Sequence, residues 1–116
     1  MTCIAQVSAR GATPNTGFIE SSLGPQAVTS RKNVRVRPTL QLQEHADIFA
    51  LGDIIDWKEQ KQIMKAWAHA GIVAANVEAY LSGGKLKPYK GSTETIMITN
   101  GKVRFFCLLD FQVGLT

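Results

Sequence analysis

The alternation of apolar and polar positions predicts three short strands in the first half of the chain. Residues 34–38 alternate valine with arginine and end in proline, the period-two pattern of a half-exposed strand. Residues 4–7 form a second candidate. Residues 48–51 are all apolar and lead directly into Gly52 and Asp53, which is typical of a buried strand that opens into a loop. Ligands of open α/β sheets bind beyond the carboxyl ends of strands, so this junction is a candidate site.

A long helix is the clearest element that the pattern predicts. Asp56 is a good N-cap residue, and Glu59 follows it by three positions, which together make a capping box. Apolar residues recur at helical spacing over residues 63–81, and the glycine pair after Ser82 is expected to end the helix. Three polar residues share one side of it: Lys65, His69 and Asn76. We expect this polar stripe to face water or a ligand while the remainder is mostly buried.

Turn residues complete the outline. Residues 11–17 contain Pro-Asn-Thr-Gly, and a Gly-Pro pair follows at residues 24–25, so both segments are predicted loops. Asn100-Gly101 lies between two apolar segments, residues 93–99 and 102–109, and is a strong hairpin signal. The predicted order of strands, helix and hairpin indicates an α/β fold.

Composition limits the possible classes of protein. The 116 residues suffice for one domain, and 45% apolar with 19% charged residues is typical of a folded chain. The only cysteines, Cys3 and Cys107, form no metal-ligand or CxxC spacing, which predicts neither a disulfide framework nor a zinc site. No apolar run approaches the roughly 18 residues of a membrane helix. Without a signal-peptide pattern, we expect an intracellular protein that is not secreted.

The net charge of +4 comes largely from one cluster of basic residues: Arg31, Lys32, Arg35 and Arg37. Alternation with valine favours a solvated strand face over a phosphate or nucleic-acid site. Aromatic residues do not interleave with the cluster, as they do in proteins that bind single-stranded nucleic acid. We therefore predict no nucleic-acid partner.

Several motifs resemble those of two-dinucleotide-binding flavoproteins. Residues 11–16 read G-A-T-P-N-T, residues 36–41 read V-R-P-T-L-Q, and residues 48–53 read I-F-A-L-G-D, in the same order as in that family. Further pairs continue the match: His69-Ala70, Ala75-Asn76 and the region of Tyr89. Together they resemble the apoptosis-inducing-factor-like, ferroptosis-suppressor-like branch, which is related to the type II NADH dehydrogenases.

The resemblance implies a partial FAD/NAD(P)-binding fold, Rossmann-like and two-dinucleotide-binding, with a C-terminal β-hairpin. Residues 1–45 would be a remnant of the NAD(P)-binding domain and its return connector. Residues 46–84 would be the strand–helix portion of the FAD-binding domain, and residues 85–116 a truncated hairpin region. The glycine-rich loops that hold the two dinucleotides in the family have no counterpart here. Residues 1–10 do not clearly continue the strand expected before the Pro-Asn-Thr turn, and the family's glycine-rich stretch and aromatic tail do not follow Lys102. Both ends suggest a truncated or mis-spliced gene model.

The resemblance also implies the site. Asp53 would accept a hydrogen bond from a ribityl hydroxyl of FAD, and Gly52 would be small so that the backbone can approach the cofactor. A helix N-terminus would face the flavin pyrimidine edge, where reduction builds negative charge. The contacts implied near that helix start are Lys61, Met64, Lys65, Ala66 and Trp67. Neither a catalytic side chain nor a metal is implied.

Other residues have simpler interpretations. Asp56 is interpreted as a helix cap, and Trp57 as a core aromatic residue. His69 is a candidate acid or base because of its imidazole side chain. A packed or half-exposed histidine is the favoured interpretation, because hydride transfer to a flavin needs no proton relay. His45 is assigned to a surface connector. The Pro14-Asn15-Thr16 segment is interpreted first as a turn. A role in positioning is the alternative, because in the family this region lies near the junction of the two dinucleotide domains.

Two functions from different classes follow. The first is an FAD-dependent oxidoreductase that passes electrons from NAD(P)H to a quinone-like acceptor, in the cytoplasm, the mitochondrion or at a membrane surface. The second is a non-catalytic chain that does not retain FAD, since the pyrophosphate-binding loop supplies much of the affinity in this fold. An independent small α/β binding module is a third interpretation. Exposed strand edges at residues 48–51 predict self-association.

Overall fold

The computed structural model describes residues 11, 13–100 and 104–110, and only the backbone of its two C-terminal strands. The strand expected at residues 4–7 lies outside the described residues. Part of the predicted hairpin turn, residues 101–103, lies outside them as well.

Two helices and two strands make up the regular structure of the described residues. Helix α1 spans Gly17–Leu23 and helix α2 spans Ile63–Leu81, with short 3-10 turns at Pro25–Ala27 and Gly52–Ile54. Strands β1 and β2 pair antiparallel, and their bounds are Glu94–Asn100 and Arg104–Asp110.

Helix α1 was missed by the sequence prediction, which placed a loop on either side of it. Thr16 precedes the helix, is buried, and donates from Oγ1 to the carbonyl oxygen of Lys32 at 2.7 Å. Gly24 ends the helix with a φ of +91°, a conformation that favours glycine. The helix has only seven residues and contains two serines, so its own propensity gives little signal.

The segment between the helices is irregular chain rather than the predicted strands. Val34 forms isolated bridges with Val28 and, in parallel orientation, with Ile55, while Phe49 bridges to Gln41. Valine and arginine do alternate between inside and outside as expected, because Val34 is buried and both Arg35 and Arg37 are exposed. The predicted strands at residues 34–38 and 48–51 are therefore extended segments in a network of single bridges. A hydrophobic core joins them: Val34, Leu40, Leu42, Ala50, Ile55 and Tyr89.

The prediction of a capping box at the start of the long helix was wrong. The helix begins at Ile63, with Gln62 at the N-cap position. Asp56 lies in extended chain because its backbone N–H donates to the carbonyl of Val34 at 2.8 Å, as part of the parallel bridge. Glu59 points inward, where its carboxylate meets buried hydrogen-bond donors, so it does not cap a helix.

The orientation of helix α2 is the reverse of the expected one. Lys65, His69 and Asn76, the predicted outward stripe, are among its buried residues, at 2%, 2% and 0% exposure. Trp67 and Met64 on the apolar side are instead 63% and 60% exposed. The irregular backbone beneath the helix carries N–H and C=O groups that no sheet ladder satisfies, and polar side chains of the helix supply their partners.

Candidate functional site

Gly52 opens a tight turn at the end of the predicted buried strand. Its φ is +79°, in the left-handed region that favours glycine, and Ile55 closes the turn by donating to the Gly52 carbonyl at 3.4 Å. A Cβ built on Gly52 would lie 4.0 Å from the Cβ of Ala66, which is ordinary contact. Backbone conformation, rather than a lack of space, therefore explains the glycine within this chain.

His69 holds that turn from helix α2. The Gly52 N–H donates to Nδ1 of His69 at 3.2 Å, while Nε2 lies 2.7 Å from Oε1 of Glu59. Since Nδ1 accepts a hydrogen bond, the network assigns the ring proton to Nε2, which donates to the carboxylate. Both ring nitrogens of a buried imidazole are thus satisfied.

Glu59 is the hub of a buried polar cluster. Its carboxylate accepts hydrogen bonds from His69 and, at 3.0 Å, from the hydroxyl of Tyr89. The ammonium of Lys65 lies 3.6 Å from Oε2, and the two side chains are only 3% and 5% exposed. Lys65 also donates to the carbonyl oxygen of Ser92 at 2.7 Å. A buried carboxylate with several donors and a cation is a stable arrangement only while every partner stays in place.

Aromatic packing encloses the cluster. Tyr89 meets the His69 ring edge-on, with centroids 4.5 Å apart, and packs against Trp57 at 5.5 Å. Trp57 is half-buried and contacts the core, in agreement with its interpretation as a packing residue. The backbone N–H of Tyr89 donates to the carbonyl of Pro38 at 2.8 Å, which ties the connector after helix α2 to the first half of the chain.

Asn76 performs a similar task farther along the helix. Its amide nitrogen donates to the carbonyls of Thr39 and Lys87, at 2.9 and 2.8 Å, and its oxygen accepts from the Lys87 N–H at 2.7 Å. Lys65, His69 and Asn76 therefore clamp backbone segments that form no regular sheet.

An open cleft of about 650 Å³ lies beside the Gly52–Ile54 turn. Three separate parts of the chain line it: Thr13 and Pro14; Ser30, Arg31, Lys32 and Asn33; and Asp53, Ile54 and Lys61. The Asp53 side chain is exposed there, and Asn33 bonds its backbone carbonyl at 3.4 Å. The cleft thus combines one acceptor carboxylate with several cations, a suitable lining for a ligand that carries both hydroxyls and negative charge.

The predicted site residues fall into three places. Gly52 and Asp53 share the turn, Lys61 lines the same cleft as Asp53, and Ala66 faces the turn from helix α2. Lys61 also donates to the carbonyl of Ile55 at 2.6 Å. Met64 and Trp67 project outward from the helix, and Lys65 lies inside the Glu59 cluster. The proposed contact of each with FAD stays a prediction.

Glu59 and Tyr89 were not predicted as partners of this region. Glu59 was interpreted as part of a capping box, and Tyr89 lies 30 residues from Glu59 along the chain. Lys65 and His69 on one side of the helix would have indicated an acceptor such as Glu59 only if that side had been predicted to be buried.

A second, apolar groove of about 490 Å³ lies between helix α1 and the segment around Phe49. Phe18 and Leu51 on its walls are exposed, and Ser22 is its one hydroxyl. Sequence reasoning missed it because helix α1 was not predicted.

Within residues 13–100 and 104–110, no helix has the length and apolar character that crossing a bilayer requires. The same residues hold no cluster of three His, Cys, Asp or Glu side chains suited to a metal ion.

Comparison with known proteins identifies relatives. The chain is 54% identical over 97 residues to the FAD-dependent oxidoreductase FVFD30 of Flammulina velutipes, an alignment that covers 83% of the chain and 30% of that protein. It is 31% identical over 75 residues to ferroptosis suppressor protein 1 of Mus musculus, covering 65% of the chain and 20% of the relative. Fe-regulated protein 8 of Mycosarcoma maydis is 32% identical over 96 residues, 78% of the chain and 23% of the relative.

The chain thus spans less than a third of the length of these relatives. No protein-family model matches it. The resemblance inferred from the residue motifs is confirmed by these relatives. The name of FVFD30 states that this relative depends on FAD, the cofactor that the resemblance implies.

Proposed function

The chain is homologous to part of the apoptosis-inducing-factor-like FAD/NAD(P)-binding oxidoreductases, and on this premise we propose that it forms one half of an FAD site. The Gly52–Ile54 turn and the cleft beside it would hold the ribityl chain and the adjoining ring edge. The proposed fold is a partial Rossmann-like domain with a C-terminal β-hairpin.

The observation that carries this proposal is the exposed carboxylate of Asp53 beside the cleft. It lies on a turn that is held by the hydrogen bond from the Gly52 N–H to His69. An ionised carboxylate only accepts hydrogen bonds, and the ribityl hydroxyls of FAD can donate them. Because the turn is held by a backbone hydrogen bond, binding would not have to order it first.

The cations of the cleft fit the same ligand. Arg31, Lys32 and Lys61 line its walls together with Asp53, and Lys32 is paired with Glu20 at 2.5 Å. Positive charge near the cofactor favours its anionic parts. When bound, FAD would accept a hydride equivalent from NAD(P)H and deliver electrons to a quinone-like acceptor. The chain's residues would bind and orient it.

The phosphate half of such a site is absent from this sequence, which contains no G-x-G-x-x-G motif. In dinucleotide-binding folds, that loop and the following helix N-terminus cradle the pyrophosphate. The chain by itself would therefore bind flavin weakly and would not oxidise NADH. A non-catalytic role for the isolated chain is the alternative that this observation favours.

Titration with riboflavin tests the proposed half-site, because riboflavin carries the ring and the ribityl chain but no phosphate. We expect Asp53→Ala to weaken binding by about tenfold or more, since a hydrogen bond to a charged group contributes about 1.5–3 kcal/mol. Asp47→Ala, which removes another exposed loop carboxylate, serves as the control and should leave binding unchanged. Equal affinities of the wild type and Asp53→Ala would contradict the assignment.

A further inference from the structure

We propose that His69 is a positioning residue, which sets the geometry of the Gly52–Ile54 turn, and through it Asp53, by accepting the Gly52 N–H at Nδ1. The consequence for flavin rests on the function proposed above. The positioning itself rests only on contacts within this chain.

The hydrogen bonds of His69 have a defined direction. Gly52 donates to Nδ1, and Nε2–H donates to Glu59. The imidazole therefore links a buried carboxylate to a backbone amide through one hydrogen bond on each ring nitrogen. A partner that fixes the tautomer of a histidine in this way also fixes the plane of its ring. Glu59 selects the tautomer that leaves Nδ1 able to accept.

Two neighbours of the ring, Tyr89 and Lys65, support this orientation. Tyr89 donates to Glu59 from the connector after helix α2 and lies edge-on to the imidazole. Lys65, one turn before His69 on the same helix, lies 3.6 Å from the carboxylate. The ring therefore has little freedom to rotate and release Gly52.

Loss of the hydrogen bond at Gly52 would leave the conformation of the turn poorly defined. Glycine has more accessible backbone conformations than other residues, and the observed φ of +79° is one of several that it can adopt. The bond from His69 selects that conformation. Asp53 follows directly in the chain, so a change at Gly52 would swing its carboxylate relative to the cleft.

Two substitutions separate the two bonds of the imidazole. The oxygen of Asn reaches the position of Nδ1, so His69→Asn keeps an acceptor for Gly52 but loses the contact with Glu59. The amide nitrogen of Gln reaches the position of Nε2, so His69→Gln keeps the donor to Glu59 but loses the acceptor. The same pair at His45, the other histidine of the chain, is the matched control.

Hydrogen exchange of the complete 116-residue chain without flavin provides the readout. We expect His69→Gln to accelerate exchange at the Gly52 amide by about tenfold relative to the amides of helix α2, and His69→Asn to change that ratio less than threefold. The His45 variants should match the wild type. Normalisation to helix α2 removes any general loss of stability from the comparison.

Equal selective acceleration by Asn and Gln, or no selective acceleration by Gln, would overturn the proposal. If both variants unfold, the imidazole ¹⁵N shifts of the wild type decide: a protonated Nε2 with a bare Nδ1 supports it, and a protonated Nδ1 contradicts it. Since these measurements need no flavin, their failure would leave the Asp53 titration unaffected. A failed titration would likewise leave the His69–Gly52 bond standing.

Discussion

The backbone N–H of Gly52 donates to Nδ1 of His69 at 3.2 Å, across 17 positions of the sequence. This contact joins the motif that identifies the family to the helix that follows it. It also explains why this histidine of helix α2 is buried. The acceptor it supplies is one that an irregular turn needs and that no neighbouring strand provides.

The first prediction concerns Glu59. Glu59→Gln should lower the free energy of unfolding by about 3 kcal/mol, because it removes a negative charge that lies 3.6 Å from the buried ammonium of Lys65. If Glu59 only capped a helix, its replacement would lower the free energy of unfolding by about 1 kcal/mol. Urea denaturation distinguishes the two values. Glu44→Gln, at an exposed position, is the control and should stay within about 0.5 kcal/mol of the wild type.

The double variant Glu59→Gln/Lys65→Met extends that test. Replacing a buried ion pair by uncharged groups is often close to neutral, so the second substitution should recover part of the lost stability. If the loss of stability in the double variant equals the sum of the losses in the two single variants, the two side chains are not electrostatically coupled.

The second prediction uses two glycines in different conformations. Gly52→Ala should destabilise the chain by about 1–2 kcal/mol, because its φ of +79° is unfavourable for any residue with a Cβ. Gly71→Ala, within helix α2 and with nothing within 4 Å of the added Cβ, should stabilise it by about 0.5–1 kcal/mol. Thermal or urea unfolding measures both. A stabilised Gly52→Ala variant would mean that the turn adopts another conformation.

Helix α2 shows which features the sequence pattern predicts and which it does not. The body of the helix was predicted, since apolar spacing over residues 63–81 matches the observed Ile63–Leu81. Its predicted N-cap, Asp56, was wrong by six positions, because the observed N-cap residue is Gln62. Periodicity identifies a helix and its two sides, but which side is buried depends on what the helix packs against. Here the neighbour is irregular backbone, and that information is not local.

The candidate site was foreseen in part for a related reason. The order of Gly52 and Asp53 after an apolar run marks the turn, and the structure places Asp53 and Lys61 on one cleft. The contributions of Pro14, Arg31 and Asn33 to that cleft come from distant segments, and single-sequence patterns do not report such contacts. Glu59 was misassigned because an acid near a helix start satisfies the local capping pattern equally well.

The third prediction concerns the exposed apolar side of helix α2. Trp67, Ile63 and Met64 are each at least 60% exposed, and adjacent apolar side chains of this size promote association. Trp67→Lys should shift the chain toward the monomer in sedimentation velocity at micromolar concentration. Ala70→Lys introduces the same charge at a small exposed residue of the helix and should shift it less. Equal effects of the two would indicate that charge alone controls association.

The visible spectrum of the purified 116-residue chain, after incubation with FAD and desalting, tests directly whether the chain retains FAD by itself. Because the sequence lacks a glycine-rich phosphate loop, we expect desalting to remove the flavin and leave no absorption band. Retention of FAD near one equivalent per chain would contradict the proposal, since it would mean that the cleft beside Asp53 holds the whole cofactor unaided.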